Sequence, residues 1–272
     1  MTSTTDTTIK NVYLPQPVKV LENLRETVEN FRLVLDIPFK NDPGQFVEIS
    51  LLGIGEAPIS IASWDRDYLM LHIREVGSVT RALGRTKPGD TVFIRGPYGK
   101  GYPMKEAEGQ NLVVVAGGCG VASVKGVFDY LEKNRSKYNE VYSFVGYRNS
   151  KELIFEDFVD DWKKNMRVFV SLDTLKEGTC YDATEGFVTD LVKVTELPKG
   201  DTIAMLCGPP IMMRLSGRAL IDKGMPADRV YVSEERLMYC ATGTCCHCMI
   251  GSKYTCKDGP VFRWDQIEEH QP

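Results

Sequence analysis

Apolar and polar positions change rhythm twice along the chain. From about residue 18 to residue 92 the apolar runs are short and end in turn residues. The runs at 46–49, 59–61, 68–73 and 91–94 read as strands. Asp42-Pro43-Gly44, Pro88-Gly89-Asp90 and Gly96-Pro97 interrupt them, because glycine and proline supply the backbone angles that turns need. Strands at this spacing predict a small antiparallel barrel, with one short helix near 79–83.

The second rhythm begins near Asn111. Residues 112–116 are a continuous apolar run, followed by glycines and an amphipathic helix over 121–131. Strand signals recur at 141–145, 168–172, 203–206 and 230–232, with helical stretches between them. Apolar strands alternating with helices predict a parallel sheet covered on both faces. The third zone, from about Ser233, is rich in Cys and Gly and poor in periodicity, so something other than its own apolar core must organise it, and a bound metal centre is the obvious candidate. The expected division is a disordered tail over 1–14, a barrel over 15–106, a parallel-sheet domain over 107–232 and an irregular segment over 233–272, with 103–109 as linker.

The formal net charge of -4 and the lack of Lys/Arg runs argue against nucleic acid or an anionic membrane surface. No stretch reaches the roughly 20 apolar residues of a membrane span. The first residues are Thr-rich without an apolar core, so no signal peptide is expected, and the protein is expected in the cytoplasm.

A reducing cytosol disfavours disulfides, which turns attention to the eight cysteines. Cys240, Cys245 and Cys248 have C-x4-C-x2-C spacing, and Cys256 follows. The first three match the plant-type ferredoxin spacing for a 2Fe–2S cluster. Soft thiolates suit such a centre, and Gly243 lets the loop wrap close enough for backbone N–H groups to point at sulfur. A structural zinc site is the alternative, but zinc ribbons pair two CxxC knuckles about 15–20 residues apart. Cys246 reads as a spare, since using it breaks the ferredoxin spacing. A Rieske role for His247 needs a second histidine, and His72 and His270 are distant in sequence. Cys119 and Cys180 default to small buried hydrophobes.

Two turns suit a nucleotide. Val115-Ala116-Gly117-Gly118-Cys119-Gly120-Val121 is strand, glycine loop and helix, where backbone N–H groups and the helix dipole favour a pyrophosphate. Ser123 replaces the third glycine of the dinucleotide fingerprint, so an ordinary Rossmann dehydrogenase is excluded. Cys207-Gly208-Pro209-Pro210 closes a later strand and opens a helix. Glycine-bearing turns at the carboxyl ends of parallel strands mark ligand sites. No evident Arg/Lys pair follows the second sheet strand to meet a 2′-phosphate, which favours NADH over NADPH.

Together these features resemble the ferredoxin–NADP reductase superfamily, in the branch with a C-terminal 2Fe–2S segment. That branch includes electron-transfer subunits of dihydroorotate dehydrogenase, sulfhydrogenase and anaerobic sulfite reductase. The resemblance runs from about Pro15 to Phe262. Gly55-Glu-Ala-Pro-Ile-Ser-Ile61, Arg95-Gly-Pro-Tyr-Gly-Lys-Gly-Tyr-Pro103 and His247-Cys-Met-Ile-Gly251 look most like the one from anaerobic sulfite reductase, with the sulfhydrogenase gamma subunit next.

The resemblance implies FAD between barrel and sheet. It assigns Pro58, Ile59 and Ser60, then His72, Ile73 and Arg74, then Gly77, Val79 and Thr80 to the flavin. The motif's arginine is Ala57 here, leaving Arg74 or Arg81 to meet the pyrophosphate. It places Gly117, Gly118 and Gly120 on the nicotinamide dinucleotide phosphates, and Cys207, Gly208 and Pro209 near the nicotinamide.

Nicotinamide gives electrons in pairs, an iron–sulfur cluster takes them singly, and a flavin does both. The chain therefore reads as an electron converter without a catalytic acid or base. The expected partners are iron–sulfur and siroheme-bearing subunits of a sulfite reductase, or hydrogenase subunits in the alternative.

Overall fold

The computed structural model describes residues 11–175 and 182–267. Six strands build the first sheet: β1 (Gln16–Arg25), β2 (Asn30–Leu35), β3 (Phe46–Leu51), β4 (Gly55–Ser60), β5 (Leu69–Arg74) and β6 (Thr91–Tyr98), with helix α1 (Ser78–Leu83) before the last. Their order is β4-β3-β6-β1-β2-β5, and every pairing is antiparallel. The two edges meet at the Ile61–Leu71 bridge, where the Ala62 N–H donates to the Met70 carbonyl at 2.8 Å, and this closes the sheet into a barrel. Alternate residues such as Phe31, Leu33, Val47, Ile49, Leu71 and Ile73 point inward and are buried. Each buried side chain of this size contributes about 1.5–3 kcal/mol relative to exposure.

The opposite face of this barrel is not left to water. On β2 every residue is buried. Val34 joins the core of the second domain, and Arg32 there pairs with Asp157 at 3.0 Å.

The second sheet uses β7 (Asn111–Gly117), β8 (Val141–Tyr147), β9 (Arg167–Leu172), β10 (Ala183–Glu185), β11 (Thr202–Cys207) and β12 (Val230–Ser233), all parallel. Helices α2 (Gly120–Asn134) and α3 (Val159–Asn165) cover one face. Helices α4 (Val188–Val194) and α5 (Pro210–Asp222) cover the other. Burial on both faces explains the uninterrupted apolar run in β7.

The C-terminal segment holds a two-stranded ribbon, β13 (Met249–Ile250) with β14 (Lys253–Tyr254). It ends in β15 (Val261–Arg263), which adds antiparallel to β12 as the seventh strand of the large sheet. The segment is thus regular at its end, and Trp264 beyond it is fully buried among residues of α5 and β12.

Two other expectations change. Residues 11–14, grouped with the tail, lie against the cysteine loop: Tyr13 Oη is 2.9 Å from Thr242 Oγ1 and 3.1 Å from Thr244 Oγ1. The stretch 103–109 is not a free linker, because Met104 and Ala107 are buried in the second domain's core. Residues 1–10, Cys180 and His270 lie outside the described residues.

Candidate electron-transfer site

The two glycine-bearing turns touch. β7 and β11 are neighbours in register, with Ala116 opposite Cys207. A side chain at Gly120 would collide with the Cys207 carbonyl, and one at Gly117 would meet Met212. Gly118 has φ +52°, the left-handed region that glycine enters at least cost. Its N–H donates to the Gly146 carbonyl at 2.9 Å, holding the loop on β8. Gly117, Gly118, Gly120, Cys207, Gly208 and Pro209 therefore form one patch at the carboxyl end of the sheet. Burial pushes the Cys207 thiol up to about 12; the Glu235 charge adds to this, and hydrogen bonds from Ser123 and Ser233 oppose it. At neutral pH Cys207 is a thiol.

Proline at the start of α5 replaces an N–H that no helical carbonyl would meet. Arg148 and Lys151 do follow β8, so this strand end carries basic residues. Asp173 follows β9; burial raises its carboxyl, and the Arg148 charge opposes the rise.

On the barrel, Ile59 packs toward the interior, while Ser60 on the outer face reaches the second domain. Ser60 Oγ lies 3.0 Å from Ser123 Oγ on α2. Pro58 is half-buried beside them on β4. Ile73 points into the barrel core, so only its backbone can face a ligand. The His72 imidazole is fully buried, 3.0 Å from Glu26 and 5.0 Å from the Phe155 ring, and is turned toward the second domain's packing. Arg74 is exposed and pairs with Glu29 at 2.9 Å. Its charge is also felt by the Cys119 thiol in the glycine loop, which burial raises. Thr80 is buried, and its hydroxyl accepts from the N–H groups of Val76 and Gly77, each at 3.0 Å. Val79, one position earlier, packs against the barrel core. Arg81 stands exposed on α1.

The cysteine loop presents amides to sulfur. Cys240 Sγ accepts from the N–H groups of Thr242 (3.4 Å), Thr244 (3.3 Å) and Cys245 (3.4 Å). Cys256 Sγ accepts from Gly243 N–H at 3.2 Å, which the φ of +76° at Gly243 permits. Burial raises the Cys240 thiol, but these donors outweigh it and lower it to about 6. Burial and the neighbouring Cys248 push Cys256 up to about 12. Such N–H···S donors suit a thiolate-ligated cluster.

Cys248 and Cys256 are buried with Ala241 against Phe46 of the barrel, so the loop borrows its core from β3. Cys245 is half-buried. Cys246 is exposed at φ +63°, its Sγ 3.5 Å from Tyr254 Oη. His247 is exposed against the Tyr239 ring. Among the described residues, no three Cys, His, Asp or Glu side chains gather as they would round a single metal ion.

The roles of three residues escaped the sequence reading. Ser123 figured only as a departure from the family pattern, yet it joins the two domains. Glu56 and Arg95 stood in the resembling stretches without a role of their own, because the loop partners of Arg95 lie up to 145 positions away.

Comparison with known proteins decides the family. Residues 114–217 match the oxidoreductase NAD-binding domain. Residues 235–268 match the iron–sulfur cluster binding domain of dihydroorotate dehydrogenase B. Sulfhydrogenase 2 subunit gamma of Pyrococcus furiosus is 37% identical, over 92% of this chain and 89% of that one. The chain belongs to the ferredoxin–NADP reductase superfamily, in its iron–sulfur branch.

A second member of this branch, a probable dihydroorotate dehydrogenase B electron transfer subunit of Thermococcus kodakarensis, is 30% identical over 94% of this chain and 98% of its own. Among solved structures, an NADH-dependent reduced ferredoxin-NADP oxidoreductase has 26% identity and a TM-score of 0.75, covering 93% of this chain and 92% of that one. A ferredoxin NADP+ reductase from Neisseria gonorrhoeae, at 19% identity and a TM-score of 0.67, covers 80% and 97% and confirms the fold. As a member of the superfamily, the chain is an oxidoreductase electron-transfer subunit that uses FAD, NADH and an iron–sulfur cluster.

Proposed function

We propose that the chain is the NADH-oxidising subunit of a cytoplasmic sulfhydrogenase-type complex, delivering single electrons through a 2Fe–2S cluster to a partner iron–sulfur or hydrogenase subunit. The likeness to the sulfhydrogenase gamma subunits supports it, at 37% and 36% identity over more than nine tenths of the chain. The motif likeness to anaerobic sulfite reductase has no such support, and the alternative therefore becomes the main reading. Among the described residues, no helix is long and apolar enough to cross a membrane.

The residues proposed to hold the dinucleotide are those of the two touching turns, with Cys207 beside the nicotinamide. Those proposed for FAD are Pro58 and Ser60 on the outer face of β4, the backbone of His72 and Ile73, Arg74, and the turn from Gly77 to Thr80. FAD supplies the exchange between paired and single electrons. The protein's part is alignment. The contact between Ser60 and Ser123 sets the flavin strand against the nucleotide helix, and the buried thiol of Cys207 adds bulk without charge. Cys240, Cys245, Cys248 and Cys256 are the proposed iron ligands, held on the barrel by Phe46 and Arg95.

Anaerobic purification from the native host tests the partner. A nickel-bearing partner that accepts electrons from NADH through this chain is the expected result. A siroheme-bearing partner would restore the sulfite reductase reading.

A further inference from the structure

Besides its packing on Phe46, the cysteine loop is fastened to the barrel by one charged side chain. Arg95 lies on β6 with its side chain 6% exposed. Its Nε donates to Glu56 Oε2 at 2.8 Å, and its Nη2 donates to Glu56 Oε1. The rest of the guanidinium serves the loop. Nη1 donates to the Cys240 carbonyl at 2.8 Å, and Nη2 to the Tyr239 carbonyl at 3.2 Å. Nη1 also donates to Tyr98 Oη at 3.0 Å, and that hydroxyl donates to the Val12 carbonyl at 2.6 Å. One charged group thus joins β4, β6, the segment before β1 and the loop that opens with the first cysteine.

A merely mechanical fastening does not require a charge. Burying a guanidinium is costly unless it is paired and hydrogen-bonded. Loop carbonyls could be met by a neutral amide, which costs less to bury. What arginine adds is a permanent positive charge one residue's backbone away from Cys240 Sγ. Its counter-ion, Glu56, occupies the Nε edge, and the loop carbonyls take the free N–H groups. The sulfur already gathers three amide N–H groups, so the guanidinium adds to an environment that favours negative charge.

We propose that Arg95 is a positioning residue for the iron–sulfur centre: it seats the Cys240 loop on the barrel and holds beside it a positive charge that favours the reduced form. The proposal rests on the iron–sulfur reading given above. Two ferric ions, two sulfides and four thiolates carry a net charge of about two minus, and one electron makes it more negative. A buried cation nearby stabilises that added charge through a medium that screens poorly. The direction follows: neutralising Arg95 lowers the midpoint potential, and leaving Glu56 unpaired lowers it further.

The test is an anaerobic redox titration of the full-length protein, followed by electron paramagnetic resonance of the reduced cluster, with iron and FAD content measured alongside. Arg95→Lys keeps the charge without the fork and should titrate near wild type. Arg95→Gln should show at least a tenfold loss in the one-electron equilibrium constant, about 59 mV. The double variant Arg95→Gln/Glu56→Gln removes both charges and should fall between them. If Arg95→Gln does not retain iron, the same order is read from the lysine variant and the double variant. Equal midpoints in all variants, or a lysine variant as low as the neutral ones, would overturn the proposal. A wild-type protein without iron would instead defeat the underlying reading and leave nothing for Arg95 to position.

Discussion

Ser60 Oγ, at the end of the barrel strand β4, lies 3.0 Å from Ser123 Oγ in the first turn of α2. The two hydroxyls tie the proposed flavin strand to the proposed nucleotide helix, and Ser123 is also among the groups that oppose the effect of burial on the Cys207 thiol. Ser123→Ala removes this tie. A neutral hydrogen bond contributes about 0.5–1.5 kcal/mol net, so unfolding stability should fall by about 1 kcal/mol. The sharper effect should be kinetic. Flavin reduction by NADH, followed by stopped-flow absorbance, should slow several-fold while FAD content stays at its wild-type value. An unchanged rate would show that the tie plays no part in alignment.

The exposed Cys246 and the half-buried Cys245 give opposite expectations, though they are adjacent. Cys245 lies in the amide-lined turn, its own N–H pointing at Cys240 Sγ, whereas Cys246 faces Tyr254 Oη. Cys245→Ser should lose the iron and its visible absorption while keeping FAD. Cys246→Ser should keep both. Iron analysis per FAD on anaerobically prepared protein reads the outcome, and loss of iron in the Cys246 variant would reverse the ligand assignment.

Glu48 predicts a pH dependence. It lies opposite Arg95 in the ladder and is 1% exposed. Burial, reinforced by Glu56 and opposed by Arg95, raises its carboxyl from 4.5 to about 8. The folded state therefore holds a proton there that the unfolded state releases. The resulting stabilisation is complete below the unfolded value and is lost as pH rises through the folded one. Stability to urea should accordingly decline between about pH 5 and pH 8. Glu48→Gln should flatten that slope. A variant whose slope matches wild type would place the pH dependence elsewhere.

How much of this was legible in the chain depends on how local each cause is. The apolar run of β7, the glycine loop and the cysteine spacing are each written within about ten residues, and all three led to the right fold class. The outward residues of β2 and β5 are a different matter. Strand alternation shows that Arg32 and His72 share the face opposite the barrel interior, but nothing nearby says that Asp157 and Phe155 will cover them. The closing strand β15 has three residues, too few for a periodic signal. Its place beside β12 is fixed by packing that the local sequence does not carry.

That last strand changes what a truncation can test. From its cysteines, the region after Ser233 reads as a detachable cluster segment whose removal spares the nucleotide domain. The packing argues otherwise. Val261–Arg263 completes the large sheet, and Trp264 is 1% exposed against α5. A side chain at Gly217 of that helix would collide with the indole, and the Arg218 guanidinium lies 5.7 Å from its ring centroid. Large-to-small substitution of a buried aromatic costs about 3–5 kcal/mol. Trp264→Ala should therefore lower the stability of the nucleotide domain by about that amount. Denaturant unfolding of the FAD-loaded protein measures it. At a temperature where the variant remains folded, NADH-driven reduction of an artificial dye should persist, since the glycine turns are intact. A variant as stable as wild type would mean that β15 and Trp264 are an appendage to the sheet and not part of its core.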